Sequence, residues 1–217
     1  TLRAAAMRSR RLPLRVEPPD LRRRVREHRA PYAVCFLVDN SWSVHAERMV
    51  EKVKGIVLRL LEDAAGQGDK VALVAFRGGV PEATVALPLT RSVALARRRL
   101  QEIPLSGQTP LADGLRRSRI LLRQELAKHP DAVPLVVAVT DGEATVPLRR
   151  GGNAVADALA EGARLRRAGI LLVVADASRA GGGLGADLAR AGGGISIPVA
   201  ELAPEAIVDL LQGVGGR

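Results

Sequence analysis

Short apolar runs alternate with amphipathic segments along most of this chain. Each run has the length of a buried strand, and each following segment repeats its apolar residues at helical spacing. The runs predict strands at residues 33–38, 71–76, 83–87, 134–140 and 170–175, with a weaker one at 195–199. The segments between them predict helices at residues 45–65, 93–100, 110–128, 155–168, 184–191 and 204–211. This alternation is typical of an open, mostly parallel sheet with right-handed crossovers.

One predicted strand is expected to run against its neighbour. Residues 83–87 follow the strand at 71–76 after a short connection that contains Gly78 and Gly79, which suits an antiparallel hairpin at a sheet edge. We therefore predict an α/β fold in three layers. An open, mostly parallel, Rossmann-like sheet carries helices on both faces and one antiparallel edge strand.

The composition indicates an aliphatic core and no disulfide framework. The chain has 217 residues, of which 47% are apolar, but only two Phe, one Tyr and one Trp. The single Cys35 lies inside the first apolar run, where a small buried side chain is the ordinary interpretation.

No apolar stretch reaches the roughly 18 residues that a membrane span needs, and no secretory signal is present, so a cytoplasmic location is expected.

The positive charge is concentrated at the start of the chain. Residues 1–30 hold ten arginines against Glu17, Asp20 and Glu27, within a formal net charge of +10. We predict a basic arm or linker at residues 1–31, containing a short helix at about residues 20–28, and a folded domain at residues 32–217. The arm lacks the aromatic side chains that stack on single-stranded bases, so nucleic acid is not the expected partner. Because the sequence begins with Thr1, it is expected to be a segment of a longer chain or a processed product.

Oxygen-bearing side chains follow the apolar runs at three places. Asp39 ends the first run, with Ser41 and Ser43 at alternate positions after it; Thr109 precedes a predicted helix, and Asp141 follows the run at 134–140. In an open parallel sheet, ligands bind where the carboxyl ends of the strands meet. Carboxylates and hydroxyls, without imidazole or thiolate, favour Mg²⁺ over zinc, and Mn²⁺ and Ca²⁺ accept the same donors. We predict one metal site made by these five residues.

Each motif has an ordinary structural interpretation when it is taken alone. A strand-end Asp followed by Ser is typical of a helix cap, Thr-Pro of a helix start, and Thr-Asp-Gly of a turn. An enzyme with Asp39 as nucleophile, as in haloacid dehalogenase phosphatases, needs a second Asp where Ser41 stands. The glycine-rich segments lack the Lys-Ser or Lys-Thr of a phosphate-binding loop. We therefore predict no catalytic residues and no organic cofactor.

The chain resembles a von Willebrand factor A (VWA) domain, and the five predicted ligands match its metal-ion-dependent adhesion site (MIDAS). It also resembles, more closely than the general VWA pattern, the carboxy-terminal part of the magnesium chelatase D subunit. The residues that carry the resemblance are 1–6 (TLRAAA), 20–22 (DLR), 71–78 (VALVAFRG), 108–115 (QTPLADGL) and 139–142 (VTDG).

The resemblance implies a non-catalytic subunit of an ATP-dependent chelatase. Its partners would be an AAA+ ATPase subunit and a porphyrin-binding subunit, contacted through an acidic side chain that completes the metal shell, and the complex would insert magnesium into a tetrapyrrole. Two alternatives stay open: a cobalt-chelatase-type subunit, and a stand-alone VWA adaptor that binds an acidic motif in an unrelated complex. The family's first loop reads Asp-Ala-Ser-Gly-Ser-Met, whereas this chain has Asn40, Trp42 and Val44 at the variable positions. Trp42 would either crowd the metal or serve as an aromatic anchor for a partner.

Overall fold

The computed structural model describes Met7 and residues 30–39, 44–63, 68–76, 82–101, 108–178 and 183–215. The predicted basic helix at residues 20–28 lies outside the described residues, as does nearly all of the predicted arm. The division into an arm and a domain therefore stays a prediction. Within the described part of the chain, none of the helices is both long and apolar enough to cross a membrane.

The described elements alternate between strands and helices as the sequence pattern predicts. The strands are β1 (Tyr32–Val38), β2 (Lys70–Phe76), β3 (Ala83–Thr90), β4 (Val133–Thr140), β5 (Leu171–Asp176) and β6 (Ile195–Pro198). The helices are α1 (Val44–Asp63), α2 (Val93–Leu100), α3 (Leu111–Lys128), α4 (Ala154–Arg167), α5 (Leu184–Gly192) and α6 (Pro204–Gly215). A short 3-10 turn at Val199–Glu201 ends β6 one residue earlier than the apolar run suggests.

The six strands form one sheet in the order β3-β2-β1-β4-β5-β6. All neighbouring pairs are parallel except β2 and β3, which are antiparallel and place β3 at the edge. The predicted fold class is confirmed, including its antiparallel edge strand. Because β1 and β4 are central neighbours, the segments that follow them leave the sheet side by side.

Local side-chain caps fix where two of the helices begin. Ser92 accepts a hydrogen bond from the Leu95 amide at 3.2 Å ahead of α2, and Asn153 accepts one from the Ala156 amide at 3.0 Å ahead of α4. Such a cap satisfies an amide that has no partner inside the helix and contributes about 1 kcal/mol. Local sequence thus marks where these two helices begin.

The core consists of two aliphatic clusters, one on each face of the sheet. Successive strand side chains point to opposite faces. Phe36 therefore belongs to the cluster beneath α1, α2 and α6, whereas Cys35 and Leu37 belong to the one beneath α3, α4 and α5. Cys35 is fully buried, and burial raises the pKa of its thiol to about 12, so the thiol stays protonated. The predicted inert role of this cysteine agrees with its position.

Helix α3 approaches the sheet closely because Gly114 has no side chain. A Cβ added there would lie 2.5 Å from Leu37 Cδ1 and 3.0 Å from Phe76 Cε1, both inside the buried core. Helix α3 starts two residues after Thr109, so this contact also sets the position of a predicted metal ligand.

Replacing Gly114 with alanine should lower the free energy of unfolding by about 1–3 kcal/mol, because the added methyl group overpacks the core. Gly55→Ala is the matched control, since Gly55 is exposed on α1 and an added Cβ meets nothing within 4 Å. Helix propensity predicts that this control raises stability by about 0.5–1 kcal/mol. Urea unfolding measures the free energy of unfolding of both variants. Equal changes in the two variants would contradict the close packing of α3 against the sheet at Gly114.

Candidate metal centre

The end of β1 is fastened to the end of β4. Val38 pairs with Val139 in the parallel ladder, and the Asp39 amide continues the ladder by donating to the Val139 carbonyl oxygen at 2.9 Å. This bond holds Asp39 beside Thr140, one residue before Asp141. Two of the predicted ligands are thus placed at the same edge by the register of two neighbouring strands.

The Asp39 carboxylate is buried, with 1% of the residue exposed, and is held by a side chain from β4. Thr140 donates its hydroxyl hydrogen to Asp39 Oδ2 at 3.2 Å, and the Gly142 amide donates to Thr140 Oγ1 at 3.2 Å. A buried carboxylate is costly unless hydrogen bonds or a cation compensate its lost hydration. The Thr140 hydroxyl therefore links Asp39 to the loop that carries Asp141.

Asp141 lies at the start of that loop and is partly exposed. Its Oδ1 accepts a hydrogen bond from the Glu143 amide at 3.1 Å, which closes a local turn around the carboxylate. Gly142 has a φ of 85°, a value that favours glycine, and an added Cβ there would lie 3.6 Å from the Gly185 amide nitrogen of α5. The turn holds the carboxylate at the surface of the sheet edge.

Thr109 joins the same loop from the other side. The Thr109 amide donates to Thr145 Oγ1 at 2.9 Å, and the Thr145 amide donates to the Thr109 carbonyl oxygen at 3.2 Å. Thr109 is 2% exposed and directly precedes Pro110, the residue before α3. The segment ahead of α3 is thereby bonded to the segment that follows β4.

A cleft of about 510 Å³ opens beside Thr109. It lies between the start of α3 and the loop that ends at Gly151. Its lining residues are Glu82, Pro110, Asp113, Arg116, Val146, Pro147, Leu148, Arg150 and Gly151.

Asp39, Thr109 and Asp141 all lie in the segments that leave the carboxyl edge of the sheet or enter the helix beside it. Ser41 and Ser43, with Trp42 between them, lie outside the described residues, so the five-ligand set stays a prediction.

Among the described residues, no three carboxylate, imidazole or thiolate side chains form a metal-binding cluster. The predicted set does not need one, because it combines two carboxylates with three hydroxyls. A buried carboxylate beside neutral oxygen donors fits Mg²⁺ better than zinc.

Three supporting residues at this edge were not predicted from the sequence. Thr140 and Thr145 hold the loop as described above, and Asp176 ends β5 in register with Thr140. Asp176 Oδ1 accepts from the Ser178 amide at 2.8 Å, and its carboxylate lies 3.6 Å from where a Cβ on Gly185 would stand, at the start of α5. A carboxylate is favoured at a helix N-terminus. For Thr140 and Asp176 the available signal was a position at the end of a strand, whereas Thr145 lies in a loop and gave no such signal.

Asp113 differs from the exposed first-turn acid that its position in the sequence suggests. It is 5% exposed and accepts hydrogen bonds from the Ala83 amide at 2.9 Å and from Arg116 and Arg117 at 2.7 Å each. The hydrogen bond with Asp113 raises the pKa of Arg117. These contacts tie the first turn of α3 to the edge strand and so brace the segment that carries Thr109.

A family model described as the von Willebrand factor type A domain matches residues 34–143, which include Asp39, Thr109 and Asp141. The chain belongs to this family. It is also homologous to magnesium-chelatase subunits. The magnesium-chelatase 60 kDa subunit of Cereibacter sphaeroides is 38% identical over 166 residues, which cover 75% of this chain and 29% of that protein.

Two further comparisons agree with the VWA assignment. The uncharacterised protein Rv2850c of Mycobacterium tuberculosis is 44% identical over 154 residues, covering 70% of this VWA chain and 24% of that protein. The crystal structure of the SpRpn10 VWA domain superposes with a TM-score of 0.61 at 14% identity, covering 83% of this chain and 95% of that one, and so shares the fold. The chain thus spans about a quarter of the length of these two curated relatives, 24% and 29%.

The hydrogen bond from Thr140 to Asp39 can be tested by Thr140→Val, which keeps the shape but removes the hydroxyl. The variant leaves a buried carboxylate oxygen and the Gly142 amide without this partner, so the free energy of unfolding should fall by about 1–3 kcal/mol. Thr84→Val, at an exposed position of β3, is the control and should change the free energy of unfolding by less than about 0.5 kcal/mol. Urea unfolding at neutral pH compares the two; a Thr140 variant as stable as its control would contradict the role of this bond.

Proposed function

We propose that this chain is the metal-dependent interaction module of a magnesium-chelatase-type D subunit. The supporting observation is that Asp39, Thr109 and Asp141 lie at one edge of the sheet in a VWA chain homologous to magnesium-chelatase subunits. Its own role is non-catalytic: it docks partners and leaves ATP hydrolysis and porphyrin binding to other parts of the complex.

The proposed site holds Mg²⁺ through the carboxylates of Asp39 and Asp141 and the hydroxyls of Ser41, Ser43 and Thr109. When bound, Mg²⁺ would supply an open coordination position for a carboxylate from another protein. The two carboxylates formally balance the charge of Mg²⁺. Because the other three donors are neutral hydroxyls, the bound cation would keep Lewis acidity and could accept a partner's carboxylate.

The described part of the proposed site suits docking because hydrogen bonds already hold it in place. Asp39 is held by Thr140, and the two ends of the Asp141 loop are bonded at Thr140 and Thr109. A preorganised site spends little of its binding energy on ordering side chains. The cleft is lined by Pro110, which directly follows Thr109, and it offers a concave surface for residues that flank the partner's acidic side chain.

The proposed partners are the AAA+ ATPase subunit and the porphyrin-binding subunit of a chelatase-type complex. In this arrangement the module relays the ATPase cycle to the subunit that inserts magnesium into the tetrapyrrole. The relay depends on the metal contact, so loss of one metal ligand should uncouple the partners without unfolding the domain.

Asp141→Ala should weaken binding of the chelatase ATPase subunit at least about tenfold, because the carboxylate of a metal-bridged contact is lost. Asp131→Ala is the matched control, since Asp131 is an exposed acid in the turn before β4 and should leave affinity unchanged. Biolayer interferometry with Mg²⁺ and ATP present in every arm measures both affinities.

Removing Mg²⁺ with a chelator would not test this site by itself, because ATP binding by the partner also requires Mg²⁺. Equal affinities for wild type and Asp141→Ala would contradict the proposed function. Unfolding curves of the two variants establish that a loss of affinity reflects the site and not the fold.

A further inference from the structure

A groove of about 590 Å³ runs between the later turns of α3 and α4. Four arginines line it, two from each helix, above an apolar floor. The arginines are Arg119, Arg123, Arg164 and Arg167, and the floor includes Leu126 and Ala168. We call this surface the arginine groove.

A buried carboxylate fixes two of the four guanidinium groups. Glu161 is 1% exposed; its Oε2 accepts from Arg119 Nε at 3.1 Å and its Oε1 accepts from Arg164 Nη1 at 2.6 Å. One acid thus links the two helices across the groove. A guanidinium has five N–H donors, so each arginine keeps donors for a further partner after this contact.

The other two arginines leave the groove strongly positive. Within the described part of the chain, no carboxylate lies within ion-pair distance of Arg123 or Arg167, and the Arg167 Nε donates to the Ala163 carbonyl oxygen at 3.3 Å. Four guanidinium charges therefore face a single carboxylate. Like charges held this close repel one another unless an anion lies between them.

We propose that the arginine groove binds an acidic polypeptide segment of a partner protein. Arg119 and Arg123 are four residues apart on α3, and Arg164 and Arg167 are three apart on α4, so the Cβ atoms of each pair lie about 5–6 Å apart. Acidic residues at alternate positions of an extended chain lie about 6.6 Å apart, which matches this spacing. Arginine binds carboxylates in a bidentate manner, and the apolar floor accepts the methylene groups of such a segment.

The surroundings favour polypeptide over nucleic acid. Single-stranded binders place aromatic side chains in their grooves so that bases can stack on them. Among the described residues, Tyr32, Phe36 and Phe76 are all buried in the core, at most 7% exposed, and none lines this groove.

The arginine groove is separate from the candidate metal centre. Arg119 and Arg123 follow the first residue of α3, Leu111, by eight and twelve residues, which places them about 12–18 Å along the helix at 1.5 Å per residue. Binding there is therefore expected without Mg²⁺, and it adds a second contact surface to the one proposed at the sheet edge.

The test measures fluorescence anisotropy of a short labelled peptide of alternating glutamate and alanine, titrated with the whole chain. The charge-reversal pair Arg123→Glu and Arg167→Glu should weaken binding at least about tenfold, because two attractive contacts become repulsive. Both side chains are exposed and neither forms an ion pair with a described residue, so the fold should persist, as circular dichroism checks.

The matched control is the pair Arg98→Glu and Arg99→Glu, which changes the net charge equally. These exposed residues lie on α2, a helix that packs on the opposite face of the sheet. This pair should leave peptide affinity within about twofold of wild type, since distant surface charges are screened at physiological salt.

Four outcomes would overturn the proposal. These are the absence of saturable peptide binding, an equal loss of affinity in both charge-reversal pairs, loss of binding on adding EDTA, and tighter binding of an oligonucleotide of the same charge. The third would assign the peptide to the metal centre, and the fourth would make the groove a nucleic-acid surface. Saturable, EDTA-insensitive binding that only the groove variant weakens would support it.

Discussion

The pairing of β1 with β4 is the constraint on which the candidate site depends. These strands are far apart in the sequence, and their register, continued by the bond from the Asp39 amide to the Val139 carbonyl, decides which residues meet where they end. A shift of one residue would turn every side chain of β1 to the other face of the sheet. The buried apolar faces of both strands penalise that shift, so the hydrophobic core holds Asp39 beside Thr140.

Three of the buried carboxylates among the described residues connect separate elements of the fold through hydrogen bonds. Asp39 is bonded by a hydroxyl at the sheet edge, Asp113 by two arginines and a backbone amide, and Glu161 by two arginines from different helices. The Thr140 contact holds the Asp39 carboxylate at the sheet edge, and the Glu161 contacts orient two guanidinium groups of the arginine groove.

Much of the fold could be predicted because the four central strands, β1, β2, β4 and β5, are buried on both faces and their apolar runs are continuous. The same logic placed Asp39 and Asp141 at strand ends. The bonds that complete the site could not be predicted in this way: Thr140 to Asp39 spans 101 residues, and Thr109 to Thr145 spans 36. Such contacts depend on how elements distant in sequence come together. Asp113 shows the same limit, since an acid in the first turn of a helix gives no sign that the Ala83 amide will meet it.

The central claim is that a divalent cation binds where Asp39, Thr109 and Asp141 come together. The most direct test adds Mn²⁺ to the isotopically labelled chain and records which backbone amide signals broaden in NMR spectra. The account predicts that broadening is centred on Thr109, Asp141 and Gly142, whereas signals near Val133, at the opposite end of the sheet, stay sharp. In the Asp39→Asn variant, broadening should not be centred on these residues. Broadening centred on another acidic surface, or unchanged by that substitution, would contradict it.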